Sequence, residues 1–202
     1  MVRIAKVLRN VAFTLVVLFA VVGGAFVVGE AFADPGGWHA VAMTASWAVP
    51  VVVLGAFALR RSDAAGPVLV GVTTVAVLFT LADSAIGIVP RDGWGPVAAV
   101  VVFAVVVVLG LLGLHRAELA GLLMLVAGAA QLAATLIARG GAEAGEGPGP
   151  GALLGGSSGV VVLPAVVIGL LFVLAGAFTR ESVRPRSHRA DRGHSNPAAR
   201  TT

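Results

Sequence analysis

The chain has 202 residues, of which 58% are hydrophobic and 12% charged, with a formal net charge of +4 and no cysteine. That apolar fraction is too high for a water-soluble domain, which must cover its core with a larger polar surface. The lack of cysteine excludes disulfides, thiol chemistry and Cys-based metal sites. The positive charge is strung along segment ends rather than gathered into one basic face, which argues against nucleic acid as its partner.

The apolar residues come in blocks of about twenty, the length of helix needed to cross about 30 Å of hydrocarbon. In chain order, the first ten residues carry Arg3, Lys6 and Arg9 three apart. They read as an interfacial lead-in with its charges on one helical face. Residues 11–28 form the first span. A signal-peptide apolar region is shorter, at about 7 to 15 residues, so a retained helix is expected. Ala31-Phe32-Ala33 ahead of Asp34 nevertheless has the form of a cleavage site. Cleavage after Ala33 would leave the other spans oriented as before.

Asp34-Pro35-Gly36-Gly37 then makes a turn, and residues 38–59 are the second span. Arg60-Arg61-Ser62-Asp63 leads to the third span, residues 67–89. Pro90-Arg91-Asp92-Gly93 leads to the fourth, residues 94–114, and His115-Arg116 to the fifth, residues 117–137. A Gly/Pro-rich outer loop occupies 138–158. It completes no G-x-G-x-x-G register and is not a nucleotide site. Ser157 or Ser158 is expected to cap the sixth span, residues 159–179. No block shows the strict alternation of a barrel strand. The expected fold is therefore all-α: a polytopic bundle of six transmembrane helices forming one domain, 1–179. A basic, disordered tail, 180–202, follows it.

Counting Lys and Arg on alternate sides sets the direction. One side carries Arg3, Lys6, Arg9, Arg60, Arg61, Arg116 and six tail arginines, and the other only Arg91 and Arg139. The 12-to-2 split puts both termini in the cytoplasm, with Arg60, Arg61 and Arg116 setting the topology. Trp38 and Trp94 fall at the outer boundary, where indole rings anchor helices at headgroup level. All but one of the 14 basic residues are Arg. With the Ala, Val, Gly and Pro usage, this suggests a GC-rich genome and hence a bacterial plasma (inner) membrane. The second and fourth spans each run 22 residues from Trp to Arg, at an offset of 56. This reads either as a duplicated hairpin or as the shared look of two outward-anchored spans.

Asp83 is the sharpest polar feature. On a helical projection, Thr73, Ala76, Thr80, Asp83, Ser84 and Gly87 share one arc of the third span. Val75, Leu78, Phe79 and Ile86 lie opposite, toward lipid. The fifth span likewise puts Ala127, Gly128, Gln131, Ala134, Thr135 and Ala138 on one face, with Leu122, Leu125, Val126 and Ile137 behind. Small and hydroxyl residues let helices approach and hydrogen-bond within a membrane, so these two spans are expected to pack small face to small face. An acid at this depth must be paired, protonated or wet. Either Arg139 or Arg91 neutralises Asp83, or Asp83, Gln131 and Glu30 line a water-filled pocket for a cation, proton or small solute.

Nothing assembles a catalytic, cofactor or metal site. His39, His115, His188 and His194 fall on different sides or in the termini, and no Ser/His/Asp set converges. The Arg-rich tail is suited to anionic lipid. The expectation is a non-enzymatic membrane component whose medium is the lipid bilayer, either self-associating or accessory to a larger complex. The alternative is a small transporter or channel built on the third and fifth spans.

Overall fold

A computed structural model describes residues 2–34, 36–89, 97–140 and 156–183, and these form six helices with no strand among them. They are α1 (Val2–Ala33), α2 (Gly37–Arg60), α3 (Ser62–Ile86), α4 (Val97–Leu112), α5 (Ala117–Gly140) and α6 (Gly156–Val183). Five are long and apolar enough to cross a membrane. The exception is α4, an apolar helix of 16 residues. At a rise of 1.5 Å per residue, α4 is about 24 Å long and α1 about 48 Å.

Several boundaries differ from the sequence reading. The lead-in is no separate segment: Arg3, Lys6 and Arg9 continue into the first span as one 32-residue helix. The third helix starts at Ser62, one residue beyond α2, with Pro67 inside it. Pro67 is tolerated because the carbonyl it leaves unbonded, that of Asp63, lies at the exposed helix end. At its other end α3 stops three residues short of position 89, because Gly87 takes a left-handed conformation (φ 64°) and caps it. The sixth helix begins at Gly156, ahead of the two serines, whose side chains lie outside the described set. Gly36 and Gly37 turn the chain between α1 and α2 with φ of 70° and 58°, values L side chains rarely adopt. The Gly/Pro-rich loop from 141 to 155 and the tail beyond 183 lie outside the described residues.

The centre of the bundle is α4. It packs against all five other helices, and ten of its residues are buried, from Ala99 to Leu112. A helix apolar all round is one that neighbours surround. By contrast, α2 is peripheral: it buries only Ala40, Gly55 and Ala58, and touches α1, α3 and α4. The second and fourth spans, alike as sequences, thus become helices of 24 and 16 described residues in unlike environments. An aromatic cluster joins the core on one side. Phe103 of α4 meets Phe19 of α1 at a centroid distance of 5.1 Å and Trp47 of α2 at 5.8 Å, both edge to face.

The most extensive helix pairing is α5 with α6. Here Gly121 lies against the backbone of Gly169 and Val173, and Gly176 lies against Glu118. Because Gly121 and Gly128 are spaced like Gly169 and Gly176, the two helices present glycine once every two turns along one seam. The third and fifth helices do pack together, as their small faces suggest. The glycines of α5, however, face α6 rather than α3.

Ion pairs tie one end of the bundle together. Arg116, before α5, meets Asp63 of α3 at 2.8 Å, and Arg180 of α6 meets Glu118 of α5 at 2.8 Å. Arg60 and Arg61 lie in the α2–α3 turn at the same end. The helices therefore alternate in direction, with these arginines gathered at one end.

Candidate functional site

The residues expected to face neighbours on α3 and α5 are buried toward the bundle centre and less so toward the far ends. Thr73, Ala76 and Thr80 are buried, as are Ala127, Gly128, Gln131 and Ala134, while Asp83, Ser84 and Thr135 are half-buried. Val75, Leu78, Ile86, Leu122, Val126 and Ile137, expected toward lipid, are exposed; Phe79 and Leu125, expected there as well, are half-buried.

The hydroxyls on these faces turn back onto their own helices. Thr80 donates to the Ala76 carbonyl at 2.8 Å, Ser84 to the Thr80 carbonyl at 2.8 Å, and Thr135 to the Gln131 carbonyl at 2.9 Å. Such bonds satisfy a hydroxyl without water or a second helix. Among the described residues three buried side-chain atoms have no hydrogen-bond partner: Thr44 Oγ1 on α2, Thr73 Oγ1 on α3 and Gln131 Oε1 on α5.

Asp83 has a role that its sequence position did not suggest. With α3 ending at Ile86, it sits in the last helical turn, and its Oδ1 accepts the backbone N–H of Val89 at 2.8 Å. The Gly87 N–H closes onto the Asp83 carbonyl at 2.8 Å. One residue thus serves the chain reversal through both its carbonyl and its side chain. The side chains of Arg91 and Arg139, proposed partners of Asp83, lie outside the described residues, as does Trp94. Because asparagine keeps an acceptor oxygen, Asp83→Asn should change stability by no more than about 0.5 kcal/mol. Asp83→Ala leaves the Val89 N–H unmatched and should cost about 1 kcal/mol. Thermal unfolding of the detergent-purified variants reads the difference.

Trp38 stands in the first turn of α2 and is 81% exposed. Trp47, one face of the aromatic cluster, also lines a cavity of 1110 Å³ that the sequence did not announce. This cavity is bounded by the last turns of α1, the middle of α2, the middle of α3 and most of α4, and opens to the surface. Its walls include Glu30 but neither Asp83 nor Gln131. Apolar side chains such as Leu69, Val72, Phe79, Val101 and Val105 make up the interior. At the rim, Phe26, Glu30, Asp34, Pro50 and Val75 are exposed.

The chain matches no family model, no curated protein and no solved structure. What it does must therefore be argued from its own geometry.

The signals for the cavity were present but scattered. Glu30 and Asp34 are one helical turn apart, and the Asp34 N–H still donates to the Glu30 carbonyl at 3.0 Å, so the two carboxylates share one face of α1. Pro50, inside α2, offers no N–H to the carbonyl of Ser46 four residues back. Ser46 itself lines the cavity, and its hydroxyl donates to the Met43 carbonyl at 2.6 Å. Among the described residues no three His, Asp or Glu side chains cluster as metal ligands would.

Proposed function

We propose that this chain is a non-enzymatic, multi-pass component of a bacterial plasma membrane, acting through association with other membrane constituents rather than through chemistry. One observation carries the reading: the Thr80, Ser84 and Thr135 hydroxyls on the α3 and α5 faces close onto their own helix carbonyls, so they are satisfied within each helix and are not offered to a solute. The arginine count and the gathering of Arg60, Arg61, Arg116 and Arg180 at one end support a cytoplasmic position for both termini. The six tail arginines suit contact with anionic lipid. A first helix retained in the bundle is supported by Val16, which is 1% exposed and lies against Gly110 of α4.

A second reading, a small transporter for protons, cations or small solutes, is favoured by the unpartnered Thr73 Oγ1 and Gln131 Oε1 between α3 and α5. Proteoliposomes loaded with a pH- or cation-sensitive dye separate the two. The accessory reading expects dye signals equal to those of empty liposomes, and a recurrent partner or second copy after cross-linking in native membranes. Flux above the empty control that Gln131→Leu removes would overturn it in favour of the transporter.

A further inference from the structure

We propose that the cavity among α1, α2, α3 and α4 is a binding site for a lipophilic cation, a compound with a bulky apolar body and a single positive charge. Leu69, Val72, Phe79, Val101 and Val105 offer no hydrogen bonds, so the 1110 Å³ interior rewards an apolar body and no hydrated solute. That volume is on the scale of sites that enclose drug-sized molecules, and Trp47 adds an aromatic surface.

The rim supplies the sign of the charge. The charged groups lining the cavity are Glu30 and Asp34, both carboxylates, with no Lys, Arg or His among the lining residues. Held one turn apart on α1, the two repel each other, and a cation between them relieves that repulsion. Among the described residues no basic group lines the cavity to hold an anion. Trp47 is one of the lining residues, and an indole ring is a partner that cations favour. Two carboxylates at the mouth disfavour a phospholipid, whose phosphate would lie against them.

The test uses the full chain in phosphatidylcholine nanodiscs, with tetraphenylphosphonium as probe and tetraphenylborate as its isosteric anion. Uptake is measured by equilibrium dialysis against empty nanodiscs. Saturable uptake of one tetraphenylphosphonium per chain is expected, with tetraphenylborate indistinguishable from the empty control. The double variant Glu30→Gln/Asp34→Asn removes charge at an exposed rim and should weaken tetraphenylphosphonium about tenfold, the scale of two exposed ion pairs. Ala104→Trp, which fills the α4 wall, should abolish uptake while size-exclusion elution and helical circular dichroism stay unchanged. If Ala104→Trp does not fold, the rim variant alone decides. Absence of saturable uptake overturns the proposal. So does equal uptake of tetraphenylborate, which would make the cleft a seat for acyl chains, and so does an affinity unaltered by the rim variant.

Discussion

Gly121→Ala should be the most damaging single-methyl change in the protein. A Cβ at position 121 would stand 2.5 Å from the Gly169 carbonyl oxygen and 2.7 Å from the Val173 amide nitrogen. Carbon contacts are comfortable at about 3.5 to 4 Å, so the two helices would have to part along the most extensive interface in the bundle. A rotamer change cannot relieve the clash, because both obstructing atoms are backbone. Overpacking of this kind costs about 1 to 3 kcal/mol, and a backbone-on-backbone seam lies at the upper end of that range. The comparison is Gly71→Ala, where a Cβ would meet nothing within 4 Å and the change should stay within about 0.5 kcal/mol. Thermal unfolding in one detergent, with both variants side by side, gives the answer. Equal midpoints would mean that α5 and α6 do not cross at Gly121 and Gly169.

Phe103→Ala should be the second large loss. Phe103 is 3% exposed and is the ring shared by both aromatic pairs of the cluster. Lipid is as apolar as a protein core, so within a bilayer the solvent-transfer part of the usual core penalty contributes little. What remains is packing: two edge-to-face pairs at about 0.5 to 1.5 kcal/mol each, and a void that strips its lining of dispersion contacts. The total expected is about 2 to 3 kcal/mol. Phe103→Leu, which keeps most of the volume and loses the ring, should recover about half of that. The same unfolding measurement checks the series, and a Phe103→Leu variant no better than Phe103→Ala would put the whole effect on the rings.

The sequence pattern carried the order of the helices, their breaks and the outward faces of α3 and α5, because periodicity and punctuation are local properties. It did not reveal which helix is central. The valine-rich stretch of α4 is apolar on every side, and in a membrane such a stretch reads the same whether lipid or protein surrounds it. The glycines at 121 and 128 announced that some backbone approaches closely, yet only the matching pair at 169 and 176 in α6 says which one. Asp83 read as a residue within the third span rather than in its last turn because nothing local marked Gly87 as a left-handed cap rather than one more small residue on a helix face. Glu30 read as sharing a pocket with Asp83 and Gln131, whereas the cavity beside it is built by four helices and includes neither.

The position of α4 has a consequence for how the protein is made. Ribosomes deliver the chain from its N-terminus, so α1, α2 and α3 reach the bilayer before the segment they are to enclose. During that interval Val16 of α1, which packs against Gly110 of α4, is without that partner. The fourth helix, short and with little outward surface of its own, arrives as a keystone into a recess already prepared. The final pair, locked along its glycine seam, then shuts the side through which it entered.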